Sequence, residues 1–215
     1  MALILDRLGL SLHGRPLIKP FSLTVATGEI VTLMGPSGSG KSSLLSSIAG
    51  DLDPPFSAEG SVLLDGRAID REPPERRRIG RLFQDDLLFP HMSVGENLLF
   101  GMPRGEKSSR RKVMAQALRD AGLEGFADRA PHTLSGGQRA RVSLMRALVS
   151  NPAAMLLDEP FNRLDEELRA SIRLFVFDHL IERNIPCMLV THDRADAPAG
   201  GRIFTITAAG EVRDD

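Results

Sequence analysis

The sequence predicts an α/β fold built on a mainly parallel sheet, with an antiparallel β subdomain and an α-helical insert. Three observations predict it. Short continuous apolar runs at residues 30–34, 79–83, 153–157 and 187–191 read as strands buried on both faces. Helical stretches separate most of them, the alternation that produces a parallel sheet. From about residue 85 to 150, by contrast, the pattern is almost wholly helical.

Each element has its own reason. Residues 22–26, 61–64 and 202–207 alternate apolar and polar side chains, the period of half-exposed antiparallel strands. The run 30–34 opens into a glycine-rich segment and then a helical stretch over 43–49, with Gly50 as its C-cap. The middle of the chain predicts helices over 93–100, 108–121 and 138–150, punctuated by Gly95, Gly101, Gly105, Gly122 and Gly125. Residues 165–183 carry Leu168, Ile172, Phe175, Val176 and Leu180 at helical spacing, a core stripe.

Composition excludes several classes. With 27 basic and 28 acidic residues the 215-residue chain carries a net charge of −1, which argues against a basic nucleic-acid binder. There is no Trp and no Tyr, so a cage or stacking platform of those residues is excluded. A single cysteine, Cys187, excludes an intramolecular disulfide framework and a cysteine-clustered zinc site, and is expected to be inert core. No apolar run approaches the roughly 18–20 residues of a membrane-spanning helix. The N-terminal apolar stretch is too short for a signal peptide and is broken by Asp6 and Arg7. A role at a membrane would require another polypeptide to span it.

The glycine-rich segment is Gly35-Pro36-Ser37-Gly38-Ser39-Gly40-Lys41-Ser42, followed by Ser43. Between a strand and a helix, G-x-x-x-x-G-K-[ST] is a polyphosphate cradle (P-loop): the glycines let consecutive N–H groups converge on phosphate oxygens, and the helix N-terminus adds its dipole. Lys41 is placed to reach the β- and γ-phosphates and Ser42 to hold Mg²⁺. A second apolar strand ends in Asp158-Glu159. A carboxylate at such a strand tip suits a Mg²⁺ ligand, Asp158, and its neighbour Glu159 a general base for the attacking water.

Between these lies Leu134-Ser135-Gly136-Gly137-Gln138, directly before a helix carrying Val142, Met145 and Val149. Ser135 is predicted to cap that helix, giving a second anion-ready helix start. This pentapeptide resembles the signature of ATP-binding cassette (ABC) proteins, and the resemblance extends over nearly the whole chain. Gln84 matches the family's glutamine loop, Asp158-Glu159 its Walker B motif and catalytic glutamate, and Thr191-His192-Asp193 its switch histidine. Asn162-Arg163-Leu164-Asp165 falls at the D-loop, where Leu164 and Asp165 fit the family and Asn162-Arg163 depart from it. The family's adenine-stacking aromatic falls on His13. The stretch 83–94 is similar to importer ATPases of the thiamine, iron, sulfate, molybdate and polyamine kind.

The resemblance implies one ABC ATP-binding domain over 1–215, with an α/β catalytic core at 1–84 and 151–215 and a helical subdomain carrying the signature at 85–150. It implies ATP and Mg²⁺ as ligands, with Gln84 joining Ser42 and Asp158 at the metal and Glu159, His192 and Gln84 in catalysis. Ser135, Gly136, Gly137, Gln138 and Asp165 would serve the nucleotide across a head-to-tail dimer with a second copy of the chain. The partners implied are membrane permease subunits and, through them, a substrate-binding protein, at the inner face of the cell membrane. No nucleic acid is implied, and the short stretch after His192 implies no further regulatory domain. A soluble ABC ATPase for cofactor or iron–sulfur assembly shares the nucleotide motifs and is the competing class; a small-molecule kinase has no use for the signature. The remaining polar features have simpler expectations: Arg76, Arg77, Arg78 and Arg81 as solvated surface, residues 104–112 as the start of a solvated helix, and His91 and Met92 as local packing. His132 and His179 have no metal-like partners at a recognisable spacing.

Overall fold

The structure, a computed structural model, describes residues 2–83, 85–162 and 164–215. The chain divides into two compact units: the first takes the residues up to Arg81, Ala153–Glu159 and Phe177–Asp215, the second Leu82–Pro152 and Pro160–Val176.

The first unit opens with strands β1 (Leu3–Leu12) and β2 (Arg15–Val25), joined by a two-residue turn in which His13 and Gly14 both have positive φ, 49° and 73°. That is the turn whose twist matches a hairpin. Next come β3 (Ile30–Met34), α1 (Lys41–Ala49), β4 (Phe56–Leu64), β5 (Arg67–Ala68), the single turn α2 (Pro74–Arg77) and β6 (Ile79–Leu82). One antiparallel sheet has the order β2-β1-β4-β5. The alternation over 22–26 marks only the end of the long β2, because Pro16 and Pro20 mask the rest; an edge strand tolerates both. Residues 3–10, read above for targeting alone, belong to the central β1, whose ladder to β4 shifts register between Asp6 and Gly9.

In the second unit lie α3 (Val94–Gly101), α4 (Lys107–Asp120) and α5 (Gly136–Leu148). Ser93 and Glu96 close a capping box on α3, and the buried Asn97 bonds the Phe89 backbone at both its N–H (2.9 Å) and its carbonyl (3.1 Å). After β7 (Ala154–Asp158) the chain enters α6 (Glu166–Glu182), where Ile172, Val176 and Leu180 are buried as the spacing predicts.

Back in the first unit, β8 (Cys187–Val190), β9 (Ile203–Ile206) and β10 (Val212–Asp214) complete a second sheet of order β10-β9-β3-β8-β7-β6. Residues 202–207 are predicted to be antiparallel; β9 is antiparallel only to β10 and runs parallel to β3 on its other side. The parallel register sets Leu33 opposite Val190 and Val190 opposite Asp158. The carboxyl ends of β3, β8 and β7 therefore lie level, along the edge where parallel α/β sheets bind ligands. Leu44, Leu45 and Ile48 of α1 are fully buried with Leu33, Leu156 and Met188. Cys187 is wholly buried, and burial pushes its thiol well above the usual range.

The arginine run departs from the surface expectation. Arg77 is buried: its guanidinium donates to the carbonyls of Glu72 (2.8 Å), Asp70 (2.6 Å), Ser47 (2.9 Å) and Ile48 (2.9 Å). It thereby binds carbonyls in the last turn of α1, where the helix dipole favours a cation. Replacing Arg77 by Ala strands these acceptors and should lower unfolding free energy by about 2–4 kcal/mol. Arg76→Ala, at the exposed neighbour, should change it by less than about 0.5 kcal/mol, both read from urea denaturation midpoints.

Candidate functional site

Between β3 and α1 the glycine-rich loop closes over the Lys41 side chain. Lys41 is only 6% exposed, and its Nζ donates to the carbonyls of Gly35 (2.8 Å) and Pro36 (2.9 Å). Burial lowers the Lys41 pKa, while the Glu159 and Asp158 carboxylates act in the opposite direction. Gly40 adopts φ +90°, and a Cβ there would stand 2.7 Å from Leu17 Cδ2, so both conformation and space require glycine. No side chain caps α1 and no acidic residue occupies its first turn. The Ser39 hydroxyl oxygen is buried with no hydrogen-bond partner among the described residues. A polyphosphate suits such a loop, which offers a cation, a hydroxyl and an uncapped helix start.

The carboxylates arrive from β7. Ser42 Oγ donates to Asp158 Oδ1 at 2.9 Å. Burial pushes the Asp158 carboxyl above its usual range, against the Ser42 hydrogen bond and the Arg81 guanidinium, whose Nη2 lies 3.6 Å from Oδ2. Arg81 is held in turn by Asp51 at 2.8 Å and by Ser46 Oγ at 3.1 Å. Its side chain is largely shielded, so it too departs from the solvated-surface expectation.

Glu159 takes a left-handed backbone, φ +47°, an uncommon conformation for a residue with a side chain. Its N–H bonds the Val190 carbonyl at 2.9 Å, and His192 Nδ1 stands 3.5 Å from its Oε1. The loop carrying His192 is anchored by a buried pair, Thr191 Oγ1 donating to Asp196 Oδ2 at 2.8 Å. Ser37, Gly38, Gly40, Lys41, Ser42, Ser43 and Glu159 share a cavity of about 280 Å³ with Leu12, Leu17 and Phe56.

The structure does not place every predicted residue in this cavity. His13 is exposed in the hairpin turn and is not among the lining residues. Gln84 and Arg163 lie outside the described residues. In the second unit, Ser135 and Gln138 form the capping box of α5: Ser135 Oγ accepts from the Gln138 N–H (3.3 Å) and Gln138 Oε1 from the Ser135 N–H (2.9 Å). A Cβ on Gly137 would stand 2.5 Å from Leu168 Cδ1, so a side chain there would have to displace Leu168. Asp165 accepts from the Leu168 N–H (3.0 Å) at the start of α6. Sequence reasoning missed Arg81, the Thr191–Asp196 pair and Phe56. The Thr191–Asp196 spacing carries no motif, and Arg81 and Phe56 act across separate strands.

The ABC transporter family model matches residues 18–162, and the chain belongs to this family as an ATP-binding domain. It is 46% identical over 97% of both chains to YnjD, an uncharacterized ABC transporter ATP-binding protein of Escherichia coli. It is 42% identical to the putrescine transport ATP-binding protein PotG of Escherichia coli over 90% of this chain. Against the spermidine/putrescine import ATP-binding protein PotA of Chromobacterium violaceum the identity is 41% over 91% of this chain. The chain spans about half the length of these two, 51% and 54%. Among solved structures, cbiO1 from Clostridium perfringens, part of the ABC transporter complex cbiONQ, superimposes with TM-score 0.86 at 30% identity, over 98% of this chain and 86% of that one.

Lys41→Ala should weaken ATP binding roughly 100-fold or more, because the buried ammonium is the loop's one cation. Thermal unfolding should shift downward only slightly, since the Gly35 and Pro36 carbonyls lose their donor while a desolvated charge is relieved. Isothermal titration and a melting curve on the same sample check both; ATP affinity close to that of the unsubstituted protein would remove Lys41 from the site.

Proposed function

We propose that this chain is the ATP-hydrolysing subunit of an ABC import complex, powering uptake through separate permease subunits. One observation carries the ATPase half: Lys41, Ser42, Asp158, Glu159 and His192 converge at the carboxyl ends of the parallel strands, with Lys41, Ser42 and Glu159 lining one cavity. The import half rests on the relatives, which include polyamine and 2-aminoethylphosphonate import ATP-binding proteins. These favour import over cofactor assembly. Their cargoes differ, so the cargo of this chain is set by its partners.

Lys41 would exchange the loop carbonyls for β- and γ-phosphate oxygens, with the N–H groups of residues 38–43 around them. Ser42 and Asp158 supply the hydroxyl and carboxylate oxygens that suit Mg²⁺, which takes few protein ligands beside nucleotide phosphates. Accordingly, no group of three or more His, Cys, Asp or Glu among the described residues could hold a metal by itself. When bound, Mg²⁺ would neutralise phosphate charge. Glu159 would accept the proton of the attacking water, and His192, at 3.5 Å, would hold that carboxylate in place.

The capped N-terminus of α5 would serve the nucleotide of a second, head-to-tail copy, with Ser135, Gly136, Gly137, Gln138 and Asp165 on the facing side. No helix among the described residues is long and apolar enough to cross a membrane, so permease subunits would supply the span and a substrate-binding protein the cargo. The permease would sit on the helical unit beside residues 85–89. There Leu87 is 54% and Phe100 62% exposed, and Phe100 lines a groove with His91, Met92, Glu96, Leu99 and Arg110.

Glu159→Gln keeps the shape of the side chain and removes the base. Hydrolysis should fall on the order of 10²–10⁴-fold while ATP binding persists, and ATP should hold the dimer together on gel filtration. Near-normal turnover with no dimer would overturn the assignment of Glu159.

A further inference from the structure

The cavity beside the phosphate loop has two chemically different walls. One is made of Ser37, Gly38, Gly40, Lys41, Ser42, Ser43 and Glu159; the other is apolar, with Leu12, Leu17 and Phe56. The apolar wall abuts the loop directly, since Leu17 occupies the space a Cβ on Gly40 would need. We propose that Phe56, set beside Leu12 by the β1–β4 ladder, is the stacking face for the nucleotide base. This rests on the nucleotide-binding reading and assigns the base to a residue outside the phosphate loop and outside the family-matched position His13.

The placement is built into the sheet. Phe56 begins β4 as the cross-strand partner of Leu12, so the two side chains lie next to each other on one face. Phe56 is half-buried against the core, which fixes its ring yet leaves part of it facing the cavity. Among the described residues it is the only aromatic one in the cavity wall. His13 sits one residue beyond Leu12, where the left-handed turn leaves its side chain exposed and its N–H bonded to the Pro55 carbonyl at 3.2 Å. The hairpin turn therefore braces the segment that leads into Phe56. A flat apolar ring beside a polyphosphate cradle fits a nucleoside triphosphate, and stacking of this kind tolerates different bases because every base has a π-face.

The test separates base from phosphate. Tripolyphosphate carries the phosphate chain without the base, so each variant is titrated with ATP and with tripolyphosphate in parallel. Phe56→Ala should weaken ATP roughly tenfold and leave tripolyphosphate unchanged, while His13→Ala should leave both within about twofold. The chain has no Trp and no Tyr, so Phe56→Trp introduces a single indole. ATP should quench its fluorescence and tripolyphosphate should not, which also decides the matter if Phe56→Ala fails to fold. Equal loss of ATP and tripolyphosphate in Phe56→Ala, an ATP loss that follows His13 instead, or an indole indifferent to ATP would each overturn the inference. Wild-type protein that binds neither ligand would overturn the nucleotide-binding reading beneath it.

Discussion

A lysine ammonium withdrawn from water must be met by oxygen atoms, and the arrangement of the first unit answers that requirement at Lys41. The loop carbonyls of Gly35 and Pro36 hold the ammonium, and the carboxylates of Asp158 and Glu159 act on it electrostatically. Meeting it demands a backbone that turns back on itself within a few residues, hence the glycines. It also demands that the β7 carboxylates reach the level of the β3–α1 loop, hence the parallel register that aligns Asp158 with Val190 and Val190 with Leu33. The same alignment brings the residue after Thr191 beside Glu159. The geometry of the site is thus a consequence of sheet order as much as of any single side chain.

Around this centre, residues distant in sequence act as braces. Arg81 links Asp51 and Ser46 to Asp158, so that carboxylate is held by a cation as well as by the Ser42 hydroxyl. Arg77 binds the last turn of α1, and the buried Thr191–Asp196 pair fixes the loop that presents His192. In the second unit the start of α5 is held by its own capping box, and Leu168 packs closely against Gly137. Both helix starts combine glycine with a defined backbone, and both suit an anion, but they belong to different units.

What the sequence made legible follows from range of interaction. The strands at 30–34 and 187–191 are buried on both faces, so their apolar runs are continuous, and the helix starts at Ser93 and Ser135 carry local capping boxes. β1 was illegible as a strand because its register shift disturbs strict alternation around Asp6 and Arg7. The arginine run read as surface because charge alone does not reveal which member turns inward; Arg77 is buried between two exposed arginines. The short motifs name Lys41, Ser42, Asp158, Glu159 and His192, which the fold brings near one another. Proximity made by pairing across a sheet leaves no such signal: nothing local connects Phe56 to Leu12, its partner in the β1–β4 ladder.

The central claim is that each copy carries one half of two nucleotide sites, with the loop lysine and the signature serine serving different molecules. Mixing subunits tests it directly. Lys41→Ala copies lack a working loop, and Ser135→Arg copies lack a working signature, so each alone should be inactive. In a mixed dimer, one site combines the intact loop of one copy with the intact signature of the other. The account predicts that an equal mixture of the two silent proteins recovers ATP hydrolysis, up to about a quarter of the wild-type rate from random pairing of a two-fold dimer. A mixture as silent as its components would contradict it.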